Sequence, residues 1–128
     1  MVILDTNVII DHLRQATHKE TVLMRIERAV TKDALAISVI SIQELYEGKS
    51  TKFSNKEKDL LSIIMPLAVL SYDFNIAQRA GQIARESLMP IDFVDAAIAA
   101  TAIVNNVALC TLNRKHFEGV NDLVLYQL

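Results

Sequence analysis

Short apolar runs alternate along this chain with longer segments of helical periodicity, and this alternation restricts the folds that it can adopt. The short runs are rich in Val, Ile and Leu, as in strands that are buried on both faces. The longer segments repeat apolar residues at intervals of three and four, as amphipathic helices do. Strands joined by helical crossovers pair in parallel, because the crossover returns the chain to the same edge of the sheet. The pattern therefore predicts an α/β fold with a parallel sheet covered on both faces.

The predicted strands and helices fill nearly the whole chain. With 128 residues, only three Gly and only two Pro, we expect a single domain over 1–128 without long linkers. The predicted strands are Val2–Leu4, Ala34–Val39, Ala68–Leu70 and Val107–Cys110, with a candidate edge strand at Leu123–Tyr126. The predicted helices are Asn7–Arg14, Thr21–Val30, Ser41–Glu47, Lys56–Met65, Asp73–Leu88 and Asp92–Asn105, with a short turn of helix at Asn113–Phe117. Asp73 is the expected N-cap of its helix.

Charge and hydropathy limit how such a protein meets its partners. The formal net charge is −2, so a broad basic face for nucleic acid is not expected. Contact with a polyanion must then be local, or be assisted by a bound cation or a second chain. Apolar residues make up 52% of the sequence and the mean hydropathy is +0.28, which indicates that a partner covers part of the surface.

The sequence also predicts where the protein works. No apolar run reaches the ~18 residues that a membrane span needs, so we expect no membrane contact. No basic stretch precedes the first strand, which argues against a signal peptide. The single cysteine, Cys110, excludes an internal disulfide and fits a reducing compartment. We therefore expect a cytoplasmic protein.

Polar residues follow the predicted strands where a parallel sheet collects its ligands. Asp5 comes directly after the first strand, and Thr111 and Asn113 follow the strand that ends at residue 110. Glu44 falls on the first turn of the helix after the second strand, and Asp95 on the first turn of the helix before the fourth. Open parallel sheets bind ligands beyond the carboxyl ends of their strands. We expect these groups to meet at that edge.

A cluster of acids has a chemical use there. Carboxylates at close range raise each other's pKa, and a divalent cation relieves the repulsion. Mg²⁺ prefers few carboxylates together with waters and phosphate oxygens, and it stabilises charge on a phosphodiester in transit. Asp5, Glu44 and Asp95 therefore predict a Mg²⁺ site.

Each acid also has a structural interpretation, which the sequence leaves open. Asp5 could cap the helix that follows it. Ser41 and Glu44 fit the capping box S-x-x-E, and Asp92 and Asp95 fit an N-cap followed by an acid three residues later.

Four segments in order resemble the PIN domain, and in particular the VapC-type toxins of prokaryotic toxin–antitoxin pairs. They are Val-Ile-Leu-Asp5-Thr6-Asn7, Ser-Ile-Gln-Glu44-Leu-Tyr-Glu-Gly48, Asp95-Ala-Ala-Ile-Ala-Ala-Thr-Ala102 and Thr111-Leu-Asn113-Arg-Lys-His116-Phe117. The resemblance covers essentially the whole chain. It implies a three-layer α/β/α fold with a central parallel sheet of four to five strands. It also implies a Mg²⁺- or Mn²⁺-dependent endoribonuclease that cuts RNA, forms a homodimer and is neutralised by an antitoxin protein.

The resemblance assigns roles to individual residues. Asp5, Glu44 and Asp95 occupy the acidic catalytic positions, and Asp5 and Asp95 are the expected metal ligands, with Asp92 as a further candidate. Supporting positions fall on polar residues beside these acids, namely Thr6, Thr111, Asn113 and His116. His116 is a departure, because many family members carry a fourth acid there. This difference leaves the number of bound metal ions open.

On this interpretation, RNA is cut by in-line attack of water on the phosphodiester, leaving 5′-phosphate and 3′-hydroxyl ends. Glu44 or a neighbouring acid would orient the water. Four basic residues are candidate contacts to the RNA backbone, namely Arg14, Lys49, Arg114 and Lys115, and each also fits an ordinary surface charge.

Three other classes share parts of the pattern. A haloacid-dehalogenase-like phosphatase needs a second Asp where this chain has Asn7. A receiver domain needs an acidic pair near the first strand and a Lys after the last, and neither is present. The remaining alternative is a catalytically weak PIN-like module that binds RNA or protein, which His116 keeps open.

Overall fold

The central sheet lies between two layers of helices, as the α/β prediction required. The computed structural model describes residues 1–15 and 17–127. Four parallel strands make up the sheet: β1 (Val2–Leu4), β2 (Leu35–Ser38), β3 (Ala68–Leu70) and β4 (Ala108–Cys110), in the order β3-β2-β1-β4. Leu4 pairs with Ile37 on one side and with Cys110 on the other. The carboxyl ends of the three strands therefore lie at one edge.

Helices connect the strands and cover the sheet. They are α1 (Thr6–Gln15), α2 (Val22–Ala29), α3 (Val39–Glu47), α4 (Ser54–Ile64), α5 (Phe74–Glu86) and α6 (Phe93–Val104). Short 3₁₀ turns occur at Lys32–Ala34, Lys49–Lys52 and Arg114–Phe117. Among the described residues, no helix is long and apolar enough to cross a membrane.

The alternation of side chains along each strand divides the core into two clusters. Leu4 and Ile37 point to a cluster that α1, α2 and α4 complete. Ile3 and Leu109 point to the opposite cluster, which α5 and α6 complete. Residues 96 to 102 of α6 are all buried, and five of them are alanines, so neighbouring elements can approach this helix closely.

Two helix starts agree with the predicted caps. Asp73 accepts a hydrogen bond from the Ile76 amide at 3.0 Å, and Asp92 accepts one from the Asp95 amide at 2.9 Å. Both are N-caps, as predicted.

The start of α3 differs from the prediction. The helix begins at Val39, directly after β2, and Ser38 caps it by accepting a hydrogen bond from the Ile40 amide at 3.1 Å. Ser41 lies inside the helix and is fully buried. The capping-box interpretation of Ser41 and Glu44 is therefore wrong, and Glu44 lies on the second turn of α3 rather than the first. The cause is that β2 runs straight into the helix, so the last strand residue supplies the cap.

The candidate edge strand is reduced to a single bridge. Leu125 pairs in parallel with Leu109, with the Tyr126 amide donating to the Leu109 carbonyl oxygen at 2.8 Å. The sheet thus has four full strands, and the segment from 123 to 126 only extends it beside β4.

Ile98→Ala tests the core around α6. Ile98 is fully buried between the sheet and α5, so truncation should lower the free energy of unfolding by about 2–5 kcal/mol through lost burial and a residual cavity. Val104→Ala in the same helix is the control, because Val104 is 44% exposed and should cost about 0.5 kcal/mol or less. Urea unfolding measures both, and equal losses would contradict this packing.

Candidate active site

Asp5 lies at the centre of the carboxyl edge of the sheet. Its amide donates to the Cys110 carbonyl oxygen at 2.9 Å, which extends the pairing of β1 with β4 by one residue. Its side chain is only 5% exposed, and Oδ2 accepts a hydrogen bond from the Thr111 hydroxyl at 2.7 Å. Strand pairing and side-chain bonding therefore fix this carboxylate at the boundary between core and solvent.

Thr111 and Asn113 act through a short turn after β4. The Thr111 hydroxyl oxygen accepts a hydrogen bond from the Asn113 amide at 3.0 Å while its proton points to Asp5. The Asn113 side chain is exposed. In this structure Asn113 thus supports the site through its main chain.

Thr6 ties the start of α1 to α3. Its hydroxyl donates to the Ser41 hydroxyl oxygen at 2.8 Å, and both residues are buried. The Thr6 amide also bonds to the Asp5 carboxylate. Sequence reasoning assigned Ser41 to a cap and so missed this bond. Its only signal in the sequence is a small polar residue three positions before Glu44.

Asn7 is a second residue that the sequence analysis missed. Its side-chain oxygen accepts a hydrogen bond from the Leu112 amide at 3.3 Å, which joins α1 to the turn after β4. Together with the Thr111–Asp5 hydrogen bond, this contact holds the turn after β4 against the site.

Asp95 approaches from the first turn of α6. Its side chain is 15% exposed, and Oδ2 lies 3.2 Å from Nδ1 of His116. Asp92 is exposed and uses Oδ1 to cap α6 at the Asp95 amide. The Asp95 side chain therefore does not reach back to the cap but turns towards His116.

The acids of the site influence each other's pKa. Burial, together with the negative charges of Asp92 and Asp5, raises the pKa of Asp95 to about 6, although His116 acts in the opposite direction. Burial also raises the pKa of Asp5, and Glu44 adds to this. The Thr111 hydroxyl, the Thr6 amide and the His116 side chain lower the pKa of Asp5. The three predicted acids are therefore electrostatically linked, because the charge of Glu44 raises the pKa of Asp5 and the charge of Asp5 raises the pKa of Asp95.

Glu44 also lines a groove beside the acids. The groove has a volume of about 280 Å³ and runs between α1, α3 and α4. Its apolar lining comes from Ile10, Leu13, Leu45 and Leu60.

Of the four predicted RNA contacts, Arg14 lines the groove, whereas Lys49, Arg114 and Lys115 do not. Arg14 lines it, together with Lys56, which the sequence analysis missed because nothing in the sequence places α4 beside α1. Lys49 and Lys115 are exposed. Arg114 donates to the Tyr126 carbonyl oxygen at 3.2 Å, which ties its side chain to the C-terminal segment.

The donor set fits a cation held by few protein ligands. Within residues 1–15 and 17–127, no three His, Cys, Asp or Glu side chains are arranged as a metal-holding group. Mg²⁺, however, is commonly bound by one or two carboxylates together with waters and substrate phosphates. Asp5 and Asp95 supply two such carboxylates, and their raised pKa values mean that a divalent cation would stabilise their ionised forms.

The chain is similar in sequence and in fold to proteins of known family. The PIN domain family model matches residues 2–123. Ribonuclease VapC10 of Mycobacterium tuberculosis is 35% identical over 127 residues, covering 96% of this chain and 90% of that protein. The structure of DNA-bound VapBC from Salmonella typhimurium is similar with a TM-score of 0.84 and 27% identity, over 98% of this chain and 96% of the other. A toxin–antitoxin complex from Klebsiella pneumoniae gives a TM-score of 0.76 and 25% identity, over the whole of both chains.

Asp95→Asn tests the electrostatic cost of the site in metal-free protein. A raised carboxyl pKa means that the folded state holds the proton more tightly, so the stability associated with Asp95 is present below about pH 4 and is lost as pH rises through about 6. The variant should therefore be more stable than the wild type at pH 7.5, by about 1 kcal/mol or roughly 4 °C in Tm after allowance for screening by water. At pH 3.5 the difference should nearly vanish, because Asp95 is then largely protonated in both the folded and the unfolded state. Thermal unfolding in EDTA measures both, and a difference independent of pH would contradict the assigned shift.

Proposed function

Because the chain belongs to the PIN domain family, we propose that it is a Mg²⁺-dependent endoribonuclease and the toxin of a type II toxin–antitoxin pair. The observation that carries the proposal is that two largely buried acids with raised pKa values, Asp5 and Asp95, lie at one edge of the sheet. A ribonuclease relative at 35% identity supports RNA as the substrate. Retention of all three acids favours catalysis over a binding module.

The residues of the site divide the work of phosphodiester hydrolysis. Asp5 and Asp95 would hold the cation, and Thr111 keeps the Asp5 carboxylate oriented through its hydroxyl. When bound, Mg²⁺ or Mn²⁺ supplies charge stabilisation for the phosphodiester and makes water more acidic. Glu44, half-buried at the wall of the groove, orients the attacking water and takes up its proton.

Substrate contact is local, as the acidic net charge requires. Arg14 and Lys56 line the groove beside Glu44 and would meet the RNA backbone there. Lys49 and Lys115 remain candidates at exposed positions. Hydrolysis leaves 5′-phosphate and 3′-hydroxyl ends.

We also propose an antitoxin partner, a homodimer and a cytoplasmic location. Similarity to VapBC and to a toxin–antitoxin complex supports the partner. Large apolar side chains on the surface support the dimer, since Phe74 is 78% exposed and Phe93 is 72% exposed. The free and buried Cys110 suits a reducing compartment.

Asp5→Asn should abolish RNA cleavage. The amide can still accept the Thr111 hydrogen bond, but it removes the negative charge that would hold the cation. We expect loss of about 1,000-fold or more in rate, about 4 kcal/mol of transition-state stabilisation. The assay uses labelled RNA with Mg²⁺ or Mn²⁺ and an EDTA control.

Glu86→Gln is the matched control for Asp5→Asn, because Glu86 is an exposed acid at the end of α5 and should leave the rate unchanged. Circular dichroism verifies the fold of both variants. Full activity of nuclease-free Asp5→Asn in excess Mg²⁺ would overturn the assignment. Binding of RNA by the wild type without cleavage would favour the binding module instead.

Expression in a bacterial host tests the toxin assignment. Induction of the wild-type chain should arrest growth, whereas Asp5→Asn at the same protein level should not. Co-expression of the small protein encoded beside this gene should restore growth and co-purify with the chain. Growth arrest by both forms of the chain, or no arrest by either, would contradict a toxin that acts by cleavage.

A further inference from the structure

His116 completes a chain of hydrogen bonds between the two acids. Its amide donates to the Asn113 carbonyl oxygen at 3.0 Å, and the Asn113 amide donates to the Thr111 hydroxyl oxygen. The Thr111 hydroxyl in turn donates to Asp5. At the other end, Nδ1 of His116 lies 3.2 Å from Oδ2 of Asp95. One turn after β4 therefore contacts both acids.

The position of His116 is fixed by its neighbour. Phe117, the next residue of the same 3₁₀ turn, is only 2% exposed and packs in the core cluster of α5 and α6. Since Phe117 anchors the turn, the imidazole projects from a held backbone although its own side chain is 57% exposed. A contact made from a held backbone is suited to orienting Asp95.

We propose that His116 is a positioning residue that orients Asp95 and, by occupying one of its carboxylate oxygens, limits the site to a single divalent cation. The inference rests on the proposed function, because it concerns the same metal site. With Asp95 ionised, Nδ1 carries the proton and donates to Oδ2. Oδ2 of Asp95 then accepts a hydrogen bond from the imidazole of His116, in the position where a second cation would need an acidic ligand.

Among the described residues, the neighbouring acids do not supply a ligand for a second cation beside Asp95. Two-metal sites hold their ions about 3.5–4 Å apart, and carboxylates must contact both of them. Asp92 is exposed and already caps α6, and Glu44 lies on the Asp5 side, where it acts on Asp5 and lines the groove. The side chain that contacts Asp95 is therefore the imidazole of His116 and not a second carboxylate.

Calorimetric titration with Mn²⁺ tests the inference, with bound Mn²⁺ counted independently from the loss of the free-ion signal in electron paramagnetic resonance. The wild type should bind one ion per chain, and His116→Asp should bind two. His116→Asn keeps a side-chain N–H for Asp95 and should resemble the wild type. His116→Ala should still bind one ion but about fivefold more weakly, the effect of one lost hydrogen bond.

His18→Asp is the matched control. His18 is exposed in the turn after α1 and lies outside the site, so the new charge there should leave the stoichiometry at one. Circular dichroism and thermal unfolding of each variant report on the fold.

Each result bears on the inference. Two ions per chain in the wild type, or one in His116→Asp, would overturn it. Loss of all binding in His116→Ala would make the imidazole a metal ligand and would also overturn it. None of these results contradicts the proposed function, which holds with one ion or two. A wild type that binds no divalent cation would overturn both.

Discussion

Parallel pairing of β1 with β4 is the constraint on which the site depends. The pairing continues one residue past the strand, through the Asp5 amide and the Cys110 carbonyl oxygen. This extra bond brings Asp5 and Thr111 side by side although they are 106 residues apart in sequence. One residue earlier, the side chains belong to the apolar core, and a carboxylate there would lose all contact with water. The edge of the sheet is therefore the place where an acid can be held rigidly and still meet a ligand.

Holding acids at this edge has a cost that the structure offsets only in part. The Thr111 hydroxyl and the Thr6 amide stabilise ionised Asp5, yet its pKa remains raised. Asp95 has fewer compensating bonds and a pKa of about 6. A bound cation would relieve the remaining repulsion among these carboxylates, so the metal-free site favours the binding of positive charge. His116 supplies part of this compensation from within the chain.

Residues that look alike in the sequence have different roles in the fold. Asp92 and Asp95 lie three positions apart, but Asp92 caps α6 while the Asp95 side chain faces His116. Ser38 and Ser41 are likewise three apart, and Ser38 caps α3 while Ser41 bonds to Thr6. In both pairs, the first residue satisfies the helix end and thereby leaves the second free for a contact with another element. A cap at the start of a helix is therefore compatible with a site contact three residues later, although the cap of α3 is Ser38 and not the predicted Ser41.

The sequence alone determined the layers of the fold and proposed three acids as site candidates, because apolar periodicity and the position of Asp5 after a strand depend only on neighbouring residues. It also predicted the caps at Asp73 and Asp92, which are local hydrogen bonds. Only the tertiary structure decided what depends on distant segments meeting. Examples are the bond of Ser41 to α1, the approach of Lys56 to the groove and the contact of His116 with Asp95. The physical reason is that these contacts are set by how helices pack across the sheet, and the local sequence does not encode that distance or angle.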